Sequence, residues 1–339
     1  MGCEPDNLTG FVSIEEGKRL FEDVWGTSVP TMKGLNLMQM MDAAADGRLK
    51  ALWAIGYDVF LTNPNAHATR QAMRSLELII VQDMFLNETA RWFGSVFLPV
   101  SSSFEKDGTF MNAERRIQRV RKVIEPVAES KPDWEIICTI ASVMGKGQFF
   151  DFHCSGEIWN EIRTVWKAGS GVSYERIEKE GLQWPCPSEE SPGTQVLHTE
   201  TFPIGKRAAL RRVEYSPTTE LTTEDFPFLL VTGRTLYHFN AGTMTLRTKN
   251  TVLHPADFLN ISPEDAKRLR LQDWNRVKVR SHYGEAVLPI RINHSVKSGE
   301  LFATFHTTEV FLNCVTSPHR DSYESTPEYK VTAVQIEKV

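Results

Sequence analysis

The sequence predicts an α/β domain built on a parallel sheet, followed by a compact β-barrel. Three observations lead there. Between 36 and 150, short apolar runs suited to buried strands alternate with amphipathic helical stretches. From 225 onward, short alternating strands succeed one another around a single small helix. A chain of 339 residues with 41% apolar content can bury two sizeable cores, so two domains are the default expectation.

The opening, "MGCEPDNLTGFVSIEEGKRLFEDVW", supplies caps and turns but no strand to begin a domain, so 1–35 reads as a segment entered mid-architecture. "NLMQMMDAAADGRL" predicts a helix closed by Asp46-Gly47, and "KALWAIG" a strand buried on both faces. "NPNAHATRQAMRSL" is the next helix, with Asn63 or Asn65 as its cap. "ELIIVQD", "LNETARWF" and "GSVFLPV" then read as strand, helix and strand. Helical crossovers between strands imply a parallel sheet, and such sheets bind ligands beyond the carboxyl ends of their strands. Those ends are Gly56-Tyr57-Asp58, Gln82-Asp83, and Pro99 with Ser101 to Ser103.

"FEKDGTFMNAERRIQRVRKVIEP" turns at Asp107-Gly108 and then alternates basic residues with Ile117, Val120 and Val123. Arg115, Arg116, Arg119, Arg121 and Lys122 could steer phosphate, but composition alone favours a solvated edge strand guarded by charge. "KPDWEIICTIASVMGKG" predicts a helix with Pro132 near N1, acids in its first turn and Gly145 beyond its end. From 151 to 224 the signals weaken to a linker of one helix and loops. The helix is "SGEIWNEIRTVW", capped by Ser155, and the proline-rich "GLQWPCPSEESPGT" is irregular. In 225–339, "FPFLLVTG" is a strand and "NISPEDAKRLRL" a short helix with Ser262 as cap, Pro263 at N1 and Asp265 at N3. "RVKVRS" and "EAVLPIRI" flank His282-Tyr283-Gly284 as a hairpin, with "ELFATF" and "YKVTAVQIE" as further strands.

Several function classes are disfavoured at this level. A net charge of −5 with 24% charged residues argues against a general polyanion or nucleic-acid binder. Cysteines at 3, 138, 154, 186 and 314 form no C-x-x-C pair, so a disulfide framework, a zinc site or an iron–sulfur cluster built by this chain alone is not expected. No apolar run approaches the roughly 18 residues of a membrane span, and nothing marks export. A soluble, reducing, cytoplasmic setting fits.

The stretch "LLVTGRTLYHFNAGTMTLRT" (229–248) gathers small donors around one arginine. Gly233 and Gly242 permit close backbone approach, and Arg234 is a forked donor suited to phosphate or a ring carbonyl. Thr232, Asn240, Thr243 and Thr245 add neutral donors. Taken alone, a strand-end glycine and a surface arginine are common. Asp58 and Asp83 suit helix-capping or turn acids, and His238 a packed histidine with one hydrogen bond. Tyr329 and Lys330 suit a final strand and its solvated edge, and Cys186 a structural thiol; His306 and His319 take no assigned role.

Taken together, "ALWAIGYDVFLT", "IIVQDMFLNETA", "VFLPVSSSFEKDGTFMNAERRIQRVRK", "PDWEII", "GLQWPCP", "VTGRTLYHFNAGTMT" and "STPEYKVTAVQIEKV" resemble the C-terminal half of the large subunit of formate dehydrogenases of the molybdopterin oxidoreductase family. The motifs keep the family's order over essentially the whole chain. The resemblance implies that 1–35 connects from a missing N-terminal half, that 36–150 is an α/β domain binding molybdopterin guanine dinucleotide, and that 225–339 is a double-psi-like β-barrel closing over the pterins. It implies a bis(molybdopterin guanine dinucleotide) cofactor with molybdenum or tungsten, formate as substrate of the complete enzyme, and possible electron-transfer subunits as further partners. Carried over by motif, Gly56, Asp58 and Thr62 would meet a guanosine, Gln82 and Asp83 the ribose or base, and Asp133 another part of the nucleotide. Arg234, His238, Asn240, Thr243 and Met244 would line pterin and pyrophosphate, with Asn313, Tyr329 and Lys330.

One position departs from the pattern: Tyr57 stands where the family's "G-E-D" or "G-E-N" loop has an acid. The family's iron–sulfur cysteines, the cysteine or selenocysteine on the metal and the neighbouring histidine are not found here, which implies that they belong to the missing half and that no residue of this chain is catalytic. The alternative is a noncatalytic molybdopterin-binding or scaffold subunit of a redox complex.

Overall fold

A computed structural model describes residues 7–8, 12–200, 202, 205, 207, 209–322 and 325–339. The chain divides into two compact units, Met1–Asn36 with Pro99–Glu214 and Leu37–Leu98 with Tyr215–Val339. The stretch expected as one block, 36–150, is therefore parted after Leu98, and its first portion belongs with the barrel.

The chain opens on a short antiparallel ladder, β1 (Asn7–Leu8) with β2 (Val12–Ser13), where the sequence suggested no strand. Two residues a side are too few to show alternation. Helix α1 (Ile14–Trp25) follows, its Ser13 cap accepting from the Glu16 N–H at 3.2 Å and its end turned by Gly26 at φ 63°.

From 37 to 98 the elements are α2 (Leu37–Ala45), β3 (Ala51–Ile55), α3 (Val59–Thr62), α4 (Ala66–Arg74), β4 (Leu78–Asp83), α5 (Glu88–Phe93) and β5 (Val96–Pro99). Asn65 caps α4 by accepting from Ala68 at 3.2 Å, and Asn87 caps α5 by accepting from Ala90 at 2.9 Å. The three strands form one sheet in the order β3-β4-β5, with β3 and β4 parallel. Strand β3 departs from the double-sided burial its apolar run suggested, because it is the sheet's edge and leaves Ile55 46% exposed. Met41, Ala54, Val59, Met73 and Val81 make the core beneath it.

From 99 to 214 come β6 (Gly108–Met111), β7 (Arg116–Val120), α6 (Asp133–Val143), α7 (Ser155–Val165) and β8 (Leu182–Gln183). Pro132 caps α6 rather than sitting inside it, and Ser155 is the first residue of α7 rather than its cap. The basic strand β7 is central, not an edge: β6 pairs on one side and β8 on the other. Its second partner comes from the proline-rich stretch that sequence patterning left irregular. The basic side chains are engaged within the unit. Arg115 donates to the carbonyls of Thr194 and Gln195 at 3.1 and 3.0 Å, and Arg116 to Gly181 at 2.9 Å. Arg119 lies 3.8 Å over the Tyr174 ring, and Arg121 and Lys122 pair with Glu178 and Glu125. Neither phosphate steering nor edge protection describes this cluster.

The rest of the larger unit contains β9 (Phe228–Gly233), α8 (Asn250–Leu253), β10 (Leu259–Ile261), α9 (Pro263–Arg268), β11 (Arg276–Arg280), β12 (Glu285–Ile292), β13 (Glu300–Thr304) and β14 (Val331–Lys338). Six strands close a barrel in the order β10-β12-β11-β14-β9-β13. The pairs β9–β13 and β10–β12 are parallel and the others antiparallel, so the fold class is the expected parallel-sheet unit plus mixed barrel. Alternate residues point inward, and Leu230, Leu259, Leu288, Ile290 and Leu301 are essentially inaccessible.

Asp265 anchors one rim of the barrel. Its buried carboxylate accepts from the Ser262 hydroxyl at 2.9 Å, the Ser298 hydroxyl at 3.1 Å and the Gly299 N–H at 2.8 Å, and pairs with Arg268. Burial opposes ionisation there, but the Arg268, Gly299 and Ser262 hydrogen bonds outweigh it and hold the pKa below the usual carboxylate value. Asp265→Ala strands those donors, and the expected loss is about 2–4 kcal/mol, read from the shift in urea midpoint; an unchanged midpoint would show that the rim stands without it.

Candidate functional site

At the end of β3, Gly56 adopts φ +60°, and a Cβ built there meets open space within 4 Å. Its N–H donates to the Gln82 carbonyl at 2.8 Å, tying the two strand ends together. Gln82 is fully buried. Asp58 is buried and turned inward: it accepts from Leu61 N–H at 3.3 Å, Glu88 N–H at 3.1 Å, Thr89 N–H at 3.1 Å and the Thr89 hydroxyl at 2.7 Å. One carboxylate thus caps α3 and reaches the first turn of α5, which is the capping use of such a residue. Thr62 is half-buried, and its carbonyl accepts from the Asn313 amide at 3.1 Å.

Asp83 accepts from Phe85 N–H at 3.3 Å and from the Asn87 amide at 2.8 Å. Burial pushes its pKa up, and the nearby Asp58 adds to the shift against those hydrogen bonds. Tyr57, in the position that departs from the family pattern, donates to Asn63 at 3.0 Å, and burial raises its phenol pKa. Asp133 opens α6 in the other unit and pairs with Lys106 at 2.5 Å.

The barrel loop after β9 carries the second group. Arg234 is exposed, with the Phe239 ring 6.0 Å from its guanidinium and no carboxylate partner among the described residues. His238 is buried, its Nε2 2.9 Å from the His254 carbonyl and its Nδ1 3.3 Å from the Thr245 hydroxyl. Asn240 sits at φ +48°, a conformation asparagine tolerates better than most residues. Thr243 is half-buried and its carbonyl accepts from Arg247, Met244 is exposed, Tyr329 is half-buried against Phe305, and Lys330 is exposed. Arg247 lies 4.5 Å over the Phe85 ring, two residues beyond Asp83, so the barrel loop and the β4 strand end touch within one unit.

The structure adds His254, which sequence reasoning passed over, and gives a place to His306, which it left without a role. His254 and His306 flank His238 with ring centroids 5.6 and 5.4 Å away, and all three are buried. His306 donates from Nδ1 to the Asn240 carbonyl, 2.5 Å away. The Nε2 atoms of His254 and His306 and the side-chain oxygen of Asn240 are buried without a hydrogen-bond partner. His254 sits in "TVLHPADF", which carries no motif; only folding brings it to the loop. Thr89, which completes the Asp58 network, also lacks any sequence signal.

The arrangement presents donors and acceptors suited to binding a polar ligand. Among the described residues no group of three or more His, Cys, Asp or Glu could hold a metal ion. Cys186 is fully buried beside Arg176, 3.3 Å from its guanidinium. No helix among the described residues is long and apolar enough to cross a membrane.

Comparison with known proteins accords with this geometry. The family described as Molybdopterin oxidoreductase matches residues 12–143, and the Molydopterin dinucleotide binding domain matches 228–333. The chain is 38% identical over its full length to the F420-dependent formate dehydrogenase subunit alpha of Methanocaldococcus jannaschii, and 37% identical to the F420-dependent formate dehydrogenase 1 subunit alpha of Methanococcus maripaludis. It spans about half the length of these relatives, 50% of each. It is also 33% identical over 99% of its length to the assimilatory nitrate reductase catalytic subunit of Bacillus subtilis, covering 49% of that protein. The fold matches acetylene hydratase from Pelobacter acetylenicus with a TM-score of 0.68 at 16% identity, over 98% of this chain and 50% of that one. The chain belongs to the molybdopterin oxidoreductase family and corresponds to the C-terminal half of formate dehydrogenase alpha subunits.

The histidine cluster carries a pH signature. Burial, helped for His254 by His238 and Arg291, lowers the pKa of His254 and of His306 from 6.5. A base whose folded pKa lies below its unfolded one costs nothing when both states are neutral. As pH falls through about 6.5 the unfolded chain takes up protons that the fold resists, and stability is lost. The melting temperature is expected to fall between pH 7 and pH 5, and less steeply in His254→Asn and His306→Asn; an identical slope in both variants would remove these rings as its source.

Proposed function

We propose that this chain is the cofactor-holding C-terminal part of a formate-oxidising enzyme. It grips molybdopterin guanine dinucleotide with the strand ends of its small sheet and the 234–245 loop of its barrel, and is inactive until joined to its other half. The observation that carries the reading is the set of buried, unpartnered polar atoms at that loop, Asn240 Oδ1, His254 Nε2 and His306 Nε2. Buried polar atoms are nearly always paired, and a hydrogen-bonding ligand supplies what they lack.

The residues present fit such a ligand. Arg234 offers a fork of donors to a phosphate. His238, fixed by the His254 carbonyl and Thr245, forms a wall, and Asn240 supplies an acceptor for a ring N–H. Gly56 leaves room for a base to approach the backbone, with Gln82 and Asp83 beside it at the sugar. Thr243, Met244, Tyr329 and Lys330 complete the rim. Asp58 and Asn313 act one step back: their hydrogen bonds hold the 56–62 loop in place. Once bound, the cofactor supplies two-electron redox chemistry at molybdenum or tungsten. The metal's protein ligand, an iron–sulfur cluster and the contact to electron-transfer subunits fall to the other half, and the assembled protein works in the cytoplasm.

Two measurements test this. Loaded anaerobically with the extracted pterin dinucleotide, the purified chain is expected to bind it, and Arg234→Ala to bind at least tenfold more weakly, the loss of a hydrogen bond to a charged group being about 1.5–3 kcal/mol. Joined to the other half, the wild-type chain is expected to restore formate-dependent dye reduction. Binding without restored activity points to the scaffold role, and unaltered binding by Arg234→Ala ends the proposal for this loop.

A further inference from the structure

Asn63 closes the loop that begins at Gly56 and is 1% exposed. Only half of its side chain is used. The Oδ1 atom accepts from the Tyr57 phenol at 3.0 Å, while Nδ2 is buried without a hydrogen-bond partner. Turning the amide round would set donor against donor, because the phenol has a proton to give. Burial, with Tyr329 and Asp58 nearby, raises the phenol pKa and keeps Tyr57 un-ionised, and the Thr62 hydroxyl already donates to its oxygen. Two amide N–H donors therefore stand free where water does not reach, and a buried donor left unmade is costly. The carboxylates of the same region are engaged: Asp58 accepts from Leu61, Glu88 and Thr89, and Asp83 from Phe85 and Asn87.

We propose that Asn63 selects the base of the bound nucleotide, its amide donating to the 6-oxo oxygen of guanine, and that Tyr57 is the positioning residue that fixes which end of the amide is free. The inference deepens the proposed function and rests on its placing a nucleotide at this loop. An acid at position 57 would accept from Nδ2 and use up the donors that Tyr57 leaves open. Guanine turns only acceptors to such a donor, its oxo group and N7, whereas adenine carries an amine where the oxo group stands. A phosphate is the poorer occupant, since it would be brought against the Asp58 carboxylate, and the forked cation suited to it is Arg234. Gly56, one residue before Tyr57, leaves open space where a Cβ would stand, so a flat ring has room at the backbone. With no free carboxylate to accept from the 2-amino group, hypoxanthine, which lacks that group, is read as guanine is.

Equilibrium dialysis of the full chain against the monophosphates of guanosine, inosine and adenosine decides it. Wild type is expected to hold the guanosine and inosine nucleotides within about threefold of each other, and the adenosine nucleotide about tenfold or more weakly, its amine meeting a donor. In Tyr57→Phe the amide is free to turn its oxygen to that amine, so the preference is expected to shrink by about threefold or more through tighter binding of the adenosine nucleotide. A merely structural role for the phenol would weaken all three alike and overturns the inference, as does an unchanged preference. Asn63→Asp, an acceptor without donors, is expected to lose the preference for guanosine; should it fail to fold, the wild-type panel and Tyr57→Phe still answer. An inosine nucleotide bound about tenfold more weakly than the guanosine one also overturns the inference, because the 2-amino group is then being read. The pterin dinucleotide is assayed beside them. If it binds and guanosine monophosphate does not, this inference falls and the proposed function stands; if neither binds, both fall.

Discussion

The larger unit depends on one side-chain amide. Asn313, 1% exposed, donates to the carbonyls of Leu61 and Thr62 at 2.8 and 3.1 Å, residues more than 250 positions earlier in the chain. Those carbonyls end a four-residue helix and lack partners within it. The barrel thus supplies the C-terminal cap of a helix in the sheet portion. In a dry setting such a bond is strong and its absence costly. The same junction is reinforced by Asn65 N–H to the Thr316 hydroxyl at 3.3 Å, Phe60 against Phe311 at 4.7 Å, and the Arg320–Asp42 pair at 2.6 Å. The β3 strand end has little freedom to move against the barrel.

That fixed frame carries a predominantly neutral lining. Asp58 has its charge met by the first turns of two short helices, Asp83 is pushed toward its protonated form, and burial keeps His254 and His306 uncharged. The formal cations of the barrel loop stand at its margin, with Arg234 exposed and Arg247 laid over Phe85. A neutral interior with a cationic rim discriminates by hydrogen-bond pattern inside and by charge at the edge, the division expected for a fused-ring body bearing phosphate.

Much of this was legible in the sequence where local chemistry settles the outcome. Ser262, Pro263 and Asp265 occupy the cap, N1 and N3 positions of α9, and Asn65 caps α4, because capping requires particular side chains within four residues. The hairpin around His282 and the strands after β3 follow from alternation and turn residues. What escaped depends on pairing between distant segments. Strand β7 looks like an edge until β8 arrives from the proline-rich stretch, and β10 hides before the strong signal of α9. Asp58 shows the same limit at the site: two of its hydrogen bonds come from Thr89, 31 positions on, which no local pattern announces. The parting after Leu98 is likewise a matter of which surfaces meet, and neither composition nor a break in periodicity marks it.

The smaller unit solves a different problem. Its strands are few and short, so many backbone carbonyls have no ladder partner, and buried carbonyls demand one. Arginine answers this efficiently because one guanidinium offers five donors. Arg115 collects carbonyls from Thr194 and Gln195, Arg116 that of Gly181, and Arg176 those of Gly171, Ser188 and Ser191. The loops are thereby tied at several points around a core of Trp159, Trp166 and Ile177. A unit held this way keeps its loops in place through guanidinium–carbonyl hydrogen bonds where a longer sheet would use strand ladders.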